Sequence, residues 1–399
     1  MPPRKYLVVF GTRPEAIKIM PVLRALQGDQ QAKCVVCVSG QHEDLLKPLL
    51  SLFAIRPHYR LRVMSSDQSL SSLTATLLKE IEPVISKERP DWTLVQGDTT
   101  SAMAASLASW YQRVRVAHIE AGIRSRNNQE PFPEEINRRI VDLTADLHFA
   151  PTALEEKELI REGVSPASIH VTGNTCIDTL RYISSLPFLV RGSVLEHLPL
   201  GSKRIILVTV HRRENQGEPL GEICSAIRDV AQHYRDTIHV VLPVHPNPNV
   251  NLPVHKYLSG IENVSLLPPL DYQDLIALAK ASFFAMTDSG GLQEELPWLG
   301  KPILVLRNVT ERREGVLVGG ARLVGTRRAD IVAAAIQLME DHQMYERMAQ
   351  FRTLYGDGMA GPRIAQILRS RAASEPKLQS LVNTTPDLVR RLPRPAVAI

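Results

Sequence analysis

The chain has 399 residues, which is too long for one ordinary hydrophobic core and suits two domains of common size. Its hydrophobic content of 44% and charged content of 22% are typical of a soluble globular protein. The net charge of +5 is not gathered into the Lys/Arg stripe of a nucleic-acid-binding face. No segment approaches the ~20 apolar residues that span a membrane. Neither nucleic acid nor a membrane is therefore an expected partner.

Short aliphatic runs alternate along the chain with amphipathic segments of helical length. The predicted strands are 7–10, 34–38, 92–96, 114–119, 205–210, 239–244, 264–267, 283–286 and 303–306. The predicted helices are 70–86, 101–111, 134–143, 153–162, 220–234 and 330–341. Most of the runs are apolar nearly throughout, which is typical of parallel strands covered on both faces. The alternation predicts an α/β protein with doubly wound, Rossmann-like sheets.

A boundary between two such domains is expected after residue 184, where proline and glycine accumulate and no strand is evident until residue 204. The predicted organisation is two Rossmann-like domains facing a central cleft, then a terminal helix and a mobile tail: 1–184, 203–360, 361–374 and 375–399. The tail is predicted from its four prolines and its lack of periodicity. At the other end, a basic start leads into an apolar run that is too short for a signal peptide, and we interpret this run as the first strand.

The four cysteines are Cys34, Cys37, Cys176 and Cys224. The spacing of Cys34 and Cys37 is that of a metal or redox pair, but both fall in one predicted strand. Residues three apart on a strand point to opposite faces, so these two thiols are not expected to share a ligand. Reduced cysteines are typical of the cytoplasm, where we expect this protein to act.

Polar and ionisable residues follow most of the predicted strands. Ligands of open parallel sheets bind beyond the carboxyl ends of the strands, so these residues are expected to meet in one cleft. In chain order they are Arg13, Glu15 and Lys18, then Asp98, Glu120, His211, Arg212, His245, Asp288, Glu294 and Glu295.

Each of these features also has a purely structural interpretation. Proline is common at the first position of a helix, and Pro14 is a candidate for that position. Asp98 is a possible helix N-cap. Glu134 and Glu135, at the start of a helix, would complement its dipole. His245 is a possible loop histidine without a role. Caps alone, however, would not place acids and bases at the same end of so many strands.

Ser289, Gly290 and Gly291 form the best candidate phosphate site. Two glycines let the backbone approach an anion, and the helix that they open directs free N–H groups toward it. The chain lacks both the G-x-G-x-x-G fingerprint and the P-loop pattern, which argues against a dinucleotide redox enzyme and a P-loop ATPase. It also lacks H-E-x-x-H and paired C-x-x-C motifs, so no zinc site is expected.

Several blocks of sequence resemble the bacterial non-hydrolysing UDP-N-acetylglucosamine 2-epimerases. They begin with Val-Phe-Gly-Thr-Arg-Pro-Glu-Ala-Ile-Lys at 9–18, Gln-Gly-Asp-Thr-Thr at 96–100 and His-Ile-Glu-Ala-Gly-Ile-Arg at 118–124. Further blocks follow in family order at 131–138, 171–175, 211–215, 243–247, 287–295, 300–302, 310–312 and 355–358.

This resemblance implies a glycosyltransferase-B-like fold and interconversion of UDP-N-acetylglucosamine and UDP-N-acetylmannosamine without a cofactor or a metal. UDP would leave carbon 1 as carbon 2 loses its proton, and both would then add back with carbon 2 inverted. The resemblance also implies a cytoplasmic homodimer whose second domain binds UDP. By position, the catalytic residues would be Asp98, Glu120, Glu134 and His211. The substrate-binding residues would be Arg13, Lys18, Ser289, Gly290, Gly291, Glu295 and Arg312.

The chain departs from the family at several positions. Gln41, Arg212 and His245 match positions at which many members bind a second UDP-N-acetylglucosamine as an activator. Asp44 and Asp67, however, stand where Gln and Arg are usual, and acids repel a diphosphate, so weak activation is expected. Arg313 replaces a common proline, and the loop 124–130 differs from the usual one.

Three other functions fit the same residues. A hydrolysing epimerase would release UDP and free N-acetylmannosamine, although the 11–18 block fits the non-hydrolysing branch better. A glycosyltransferase of the same fold would need an acceptor. A non-catalytic nucleotide-sugar-binding protein would not need the three acids and His211.

Overall fold

A computed structural model describes residues 3–41, 43–65 and 67–371, with the backbone alone at 43–45. Its first sheet contains, as β1 to β7, Arg4–Phe10, Ala32–Val38, Tyr59–Arg60, Trp92–Gln96, Arg115–Ile119, Leu147–Ala150 and Ile169–Val171. Its second sheet contains, as β8 to β13, Arg204–Thr209, Ile238–Pro243, Val264–Leu267, Ser282–Thr287, Ile303–Val305 and Ala321–Leu323.

Both sheets are parallel. The strand orders are β3-β2-β1-β4-β5-β6-β7 and β10-β9-β8-β11-β12-β13, so each sheet reverses direction beside its first strand. Such reversals open a crevice at the carboxyl ends of the flanking strands. The predicted α/β, doubly wound class is therefore confirmed. The predicted runs all lie in strands of the structure, whereas the short strands β3, β6, β7 and β13 were missed.

Helices cover the faces of both sheets. As α1 to α8 they are Arg13–Gln27, Glu43–Leu52, Leu70–Glu88, Thr100–Tyr111, Glu134–Thr144, Ala153–Arg161, Thr175–Ser185 and Glu218–His233. As α9 to α15 they are Pro248–Leu258, Tyr272–Ala281, Gly290–Trp298, Arg313–Leu317, Arg328–Glu340, His342–Ala349 and Ala360–Ser370. None of the helices among the described residues is long and apolar enough to cross a membrane.

The strands are buried on both faces, as their continuous apolar runs predict. In β1, Tyr6, Val8 and Phe10 pack with α1, while the alternate residues pack with α3 and α4. Burying one such side chain contributes roughly 1.5–3 kcal/mol. In β2, Cys34 packs with the first of these clusters and Cys37 with the second, so the two thiols point to opposite faces as predicted.

Side-chain caps set the turns that carry the polar residues. Thr12 and Glu15 form a capping box at the start of α1, in which the Thr12 N–H donates to the Glu15 carboxylate at 2.7 Å. Arg13 is thus the first residue of the helix, and Pro14 is the second rather than the first. Thr99 caps α4 and Ser289 caps α11. Asp98 is therefore not a helix cap, and its carboxylate is available for another role.

The chain returns to the first sheet at its described end. Ile364 and Leu368 of α15 pack in the same cluster as Tyr6, and Asp178 accepts the backbone N–H of Gly361 at 2.8 Å. This helix begins at Ala360 and ends at Ser370, whereas the predicted range was 361–374. The predicted tail, 375–399, lies outside the described residues.

A pair of acids joins the two sheets at α6 and α12. The hydroxyl oxygen of Thr152 lies 2.7 Å from a carboxylate oxygen of Glu155 and 2.9 Å from one of Glu314. One hydroxyl hydrogen cannot serve both acceptors, so one carboxyl group must carry a proton. Burial and the neighbouring Glu314 raise the pKa of Glu155 well above its usual value.

We expect Glu314→Gln to remove part of the pH dependence of stability. A group whose pKa is raised on folding supports the fold below its unfolded pKa of about 4.3, and that support is lost as pH rises toward the folded pKa. The loss is about 1.4 kcal/mol per pH unit for one proton. The amide of Gln carries a permanent donor, so the variant should lose less stability than wild type as the pH rises above about 4.3.

Urea denaturation at several pH values measures this difference. Glu156→Gln, which removes an adjacent charge from the same helix, is the matched control and should follow wild type. Parallel curves for wild type and Glu314→Gln would show that the two acids share no proton.

Candidate functional site

The carboxyl ends of the two sheets face each other across a cleft. Glu120 follows β5 of the first sheet, and its carboxylate lies 2.8 Å from the guanidinium of Arg312, which precedes α12 of the second. The two residues are 192 positions apart in the chain. The predicted convergence of strand-end residues on one cleft is thus present in the structure.

Glu120 and Arg312 belong to a buried cluster of four charged groups. Lys18 lies 2.7 Å from Glu120 and 2.8 Å from Glu294, and Arg312 lies 2.6 Å from Glu294. Burial opposes the charge on Lys18, but the two carboxylates raise its pKa above the usual value. Burial likewise opposes ionisation of Glu294, but Arg312 and Lys18 hold its pKa below the usual value. These shifts favour the charged forms of Lys18 and Glu294, and each of the two groups lies within 2.8 Å of an oppositely charged partner.

Glu120 has an uncommon backbone conformation. Its φ angle is +71°, in the region that a side chain with a Cβ adopts only at a cost of about 1–2 kcal/mol. Its N–H donates to the carbonyl of Phe149 at 3.1 Å, and the side-chain amide of Gln96 donates to its carboxylate. The strained turn directs the carboxylate toward the second sheet.

Asp98 and Glu134 lie near each other at the carboxyl edge of the first sheet. Asp98 contacts the guanidinium of Arg138, and its carbonyl accepts the side-chain N–H of Asn137 at 3.0 Å. Glu134 begins α5, and its Oε2 atom is buried without a hydrogen-bond partner among the described residues. Burial and the charge of Asp98 raise the pKa of Glu134. This pair is suited to holding and exchanging a proton.

The neighbouring acid, Glu135, has a different role. It is fully buried and accepts the backbone N–H groups of Ser125 at 2.9 Å and Arg126 at 3.2 Å. It therefore anchors the loop before α5. The structure thus gives Glu135 a role in holding the loop, which differs from the helix-dipole role considered for the pair, while Glu134 has a buried oxygen without a partner among the described residues.

His211 follows β8 and is oriented by Asp288. Its Nδ1 atom lies 3.1 Å from the Asp288 carboxylate, which also accepts the backbone N–H groups of His211 and Arg212 and the amide of Asn215. Burial opposes ionisation of Asp288, but His211 holds its pKa below the usual value. This contact leaves the Nε2 atom of His211 for a ligand.

The predicted phosphate site lies beside His211. Ser289 caps α11, so Gly290 and Gly291 are the first two residues of the helix, where N–H groups lack partners within the helix. A Cβ atom on Gly290 would lie 3.1 Å from the Glu311 carboxylate and 3.3 Å from the Arg212 guanidinium, which is close contact. On Gly291 it would meet only the Ser289 hydroxyl, at 3.9 Å.

Arg13 and Glu295 lie where the first helix reaches the second sheet. Arg13 donates to the carbonyl of Leu270 at 3.0 Å, and the Tyr272 hydroxyl donates to Glu295 at 2.7 Å. Burial raises the pKa of Glu295 to about 7. Burial also lowers the pKa of Arg13, against the charge of Glu295. All predicted catalytic and substrate-binding residues thus line the cleft or the charge cluster that closes it.

The predicted activator residues are only partly together. The rings of His245 and His211 stack with centroids 5.9 Å apart, and Arg212 lies 3.3 Å from Glu311. Gln41 lies on the first sheet, where it accepts the hydroxyl of Ser101 at 3.0 Å. Asp67 is exposed, and the side chain of Asp44 lies outside the described residues.

Two of the departures from the family pattern, at Arg313 and in the loop 124–130, meet at one acid. Arg313 donates to the buried carboxylate of Glu158 at 3.3 Å, and Arg126 of the loop 124–130 contacts the same group. Arg313 is therefore part of a contact between the sheets that a proline would not make.

Sequence reasoning gave no role to three residues that hold the site, although it placed Asp288 and Glu294 among the strand-end residues of the cleft. Arg138 binds Asp98, Asp288 orients His211, and Glu294 pairs with Lys18. Glu134 and Arg138 are four residues apart in α5 and so share one helix face, a signal that could have identified Arg138. Within the described part of the chain, no group of three or more His, Cys, Asp or Glu residues is placed to hold a metal.

Comparisons with known proteins agree with this geometry. A family model described as UDP-N-acetylglucosamine 2-epimerase matches residues 24–369. The UDP-N-acetylglucosamine 2-epimerase of Escherichia coli K12 is 42% identical over 93% of this chain and 100% of its own. A crystal structure of the Neisseria meningitidis enzyme bound to UDP-GlcNAc has 40% identity and a TM-score of 0.87, covering 92% of this chain and 100% of that one. A glycotransferase of kitacinnamycin, with 14% identity, a TM-score of 0.63 and coverage of 92% and 99%, shares the fold alone.

Proposed function

Because the chain belongs to the UDP-N-acetylglucosamine 2-epimerase family, we propose that it inverts carbon 2 of UDP-N-acetylglucosamine without hydrolysis, giving UDP-N-acetylmannosamine. The observation that carries this proposal is the arrangement of the cleft. Three acids, Asp98, Glu120 and Glu134, lie at the edge of the first sheet, and the free N–H groups of α11 and His211 lie at the edge of the second. Acid–base groups thus face an anion site.

The proposed reaction is an elimination followed by an addition. The bond between carbon 1 and the UDP oxygen breaks, its electron pair leaves with UDP, and a carboxylate takes the proton from carbon 2. A carbon–carbon double bond forms in the bound 2-acetamidoglucal. The UDP oxygen then adds back to carbon 1, while a second acid delivers a proton to the opposite face of carbon 2.

The surroundings of the acids support a division of roles. Glu134, whose pKa is raised by burial and by Asp98, is suited to donate a proton. Asp98, which lies against the Arg138 guanidinium, is suited to accept one. Glu120, held by Lys18 and Arg312, completes the set.

The second sheet is proposed to stabilise the departing nucleotide. UDP gains negative charge as it leaves, and donors already oriented toward it lower the barrier without rearrangement. The proposed donors are His211, which Asp288 orients, the first turn of α11, which includes Gly290, and Arg13. Glu295 is proposed to bind the ribose hydroxyls.

We also propose a cytoplasmic homodimer that supplies polysaccharide synthesis. The four cysteines are unpaired thiols, which suits a reducing compartment. Trp110, Tyr111 and Leu143, near the ends of the adjacent helices α4 and α5, are 51%, 63% and 84% exposed. Exposed apolar side chains grouped in this way are typical of an interface between subunits.

We expect incubation with UDP-N-acetylglucosamine in heavy water, without added cofactor, to give a mixture of that substrate and UDP-N-acetylmannosamine with deuterium at carbon 2. The label follows because the proton that returns comes from an acid that exchanges with solvent. NMR of the products measures both. Release of free N-acetylmannosamine would establish a hydrolysing epimerase. Absence of turnover would favour a binding protein or a transferase that lacks its acceptor.

Asp98→Asn, Glu120→Gln and Glu134→Gln should each lower kcat by ~10²–10⁴, the usual effect of losing one acid–base group. Glu135→Gln is the matched control for Glu134→Gln, since it removes a charge from the same helix turn. It should lower stability more than kcat, because Glu135 holds backbone N–H groups. Near-normal turnover of Glu134→Gln would mean that Glu134 only complements the helix dipole.

Gly290→Ala should weaken UDP binding about tenfold, a change of roughly 1.4 kcal/mol. The added methyl group would press on Glu311 and Arg212 beside the phosphate site. Gly291→Ala, whose methyl group meets only an ordinary contact, should have a smaller effect. Calorimetry with UDP measures both constants. An equal loss of UDP affinity in the two variants would contradict the proposal that Gly290 lies beside the diphosphate.

A further inference from the structure

His118 links the two turns that carry Asp98 and Glu120. It lies on β5, fully buried, two residues before Glu120. Its Nε2 atom lies 2.8 Å from the carbonyl oxygen of Gly97, and its Nδ1 atom lies 2.6 Å from Oδ1 of Asp142 in α5. The ring thus bridges the end of β4 and a helix.

Each ring nitrogen of His118 has one hydrogen-bond partner. The Gly97 carbonyl oxygen is only an acceptor, so Nε2 donates to it. Asp142, which Nδ1 contacts, is itself fixed, because its other oxygen accepts from Arg124 at 2.7 Å and from the Gly122 N–H at 3.3 Å. Burial opposes ionisation of Asp142, but His118 and Arg124 hold its pKa well below the usual range. The ring is therefore held at both nitrogens.

The charged groups around the ring are paired. Arg124 also binds Glu162 at 2.6 and 3.0 Å, so its guanidinium lies between the carboxylates of Asp142 and Glu162. His148, on the adjacent strand β6, donates from Nε2 to the Asp142 carbonyl at 2.8 Å. Burial lowers the pKa of His148, which keeps its ring neutral. A buried charge cluster is stable only when it is paired and hydrogen-bonded in this way.

The ring holds backbone rather than substrate. Gly97, at a φ of +68°, immediately precedes Asp98, and its N–H donates to the Ile119 carbonyl at 3.0 Å. The Gly97 peptide is therefore bound to β5 on both sides, through Ile119 and through His118. At its other nitrogen the ring orients Asp142, which caps the N–H of Gly122, two residues after Glu120.

We propose that His118 is a positioning residue of the reaction, whose ring sets the separation of Asp98 and Glu120 through its two hydrogen bonds. The proposal rests on the acid–base roles proposed above for these two acids. A misplacement of a reacting group by about 1 Å costs on the order of 10² in rate. Loss of either hydrogen bond would release one of the two turns.

The positioning role is tested by kinetics. His118→Gln and His118→Asn each keep at most one of the two hydrogen bonds, and Asp142→Asn replaces the carboxylate that Nδ1 contacts. Each variant should lower kcat about 10²-fold, while the Kd for UDP, which binds at the second sheet, stays within about twofold. The loss should thus fall on kcat rather than on affinity.

His148→Gln is the matched control. It replaces an equally buried histidine that also bonds to Asp142 but contacts neither turn, and kcat should persist. If the His118 variants fail to fold, Asp142→Asn decides the question. A kcat near wild type in the folded variants, or an equal loss in His148→Gln, would overturn the positioning role. An inactive wild-type protein would instead overturn the proposed function.

Discussion

The ion pair between Glu120 and Arg312 is the contact on which the cleft depends. It joins the two sheets at their carboxyl ends, and Lys18 and Glu294 complete a neutral cluster around it. Removing a charge from water costs several kcal/mol, and attraction within the cluster offsets this cost only while all four members are present. A buried cluster of this kind is poor evidence for stability. It requires one relative placement of the sheets, and that placement brings acids opposite an anion site.

The surroundings of the three acids in the cleft differ from one another. Glu120 lies among cations on a strained turn, Asp98 lies against the Arg138 guanidinium, and Glu134 is buried beside Asp98. A reaction that removes a proton from one face and delivers one to the other needs groups in different roles. Carboxylates that are chemically alike acquire different roles from their surroundings.

Support for the reacting groups lies one layer below the cleft. Asp288 holds His211, Arg138 holds Asp98, and His118 with Asp142 holds the turns on either side. Each of these supports is buried and bonded at most of its polar atoms, which restricts it to one geometry. Precision in the cleft thus comes from groups that need not touch the substrate.

The sequence by itself determined the class of fold and most of the groups in the cleft. Long apolar runs predict parallel strands, and the polar residues after them predict the edge at which ligands bind. It did not determine the strands β3, β6, β7 and β13, because two to four residues show no periodicity. Nor did it separate Glu134 from Glu135, since neighbours on a helix differ only in the direction that each faces. The partners of Lys18, Glu120 and His118 were decided by the tertiary structure alone. Contacts between residues far apart in the chain form only after both sheets have folded. The local sequence does not indicate which side chains the fold will bring together.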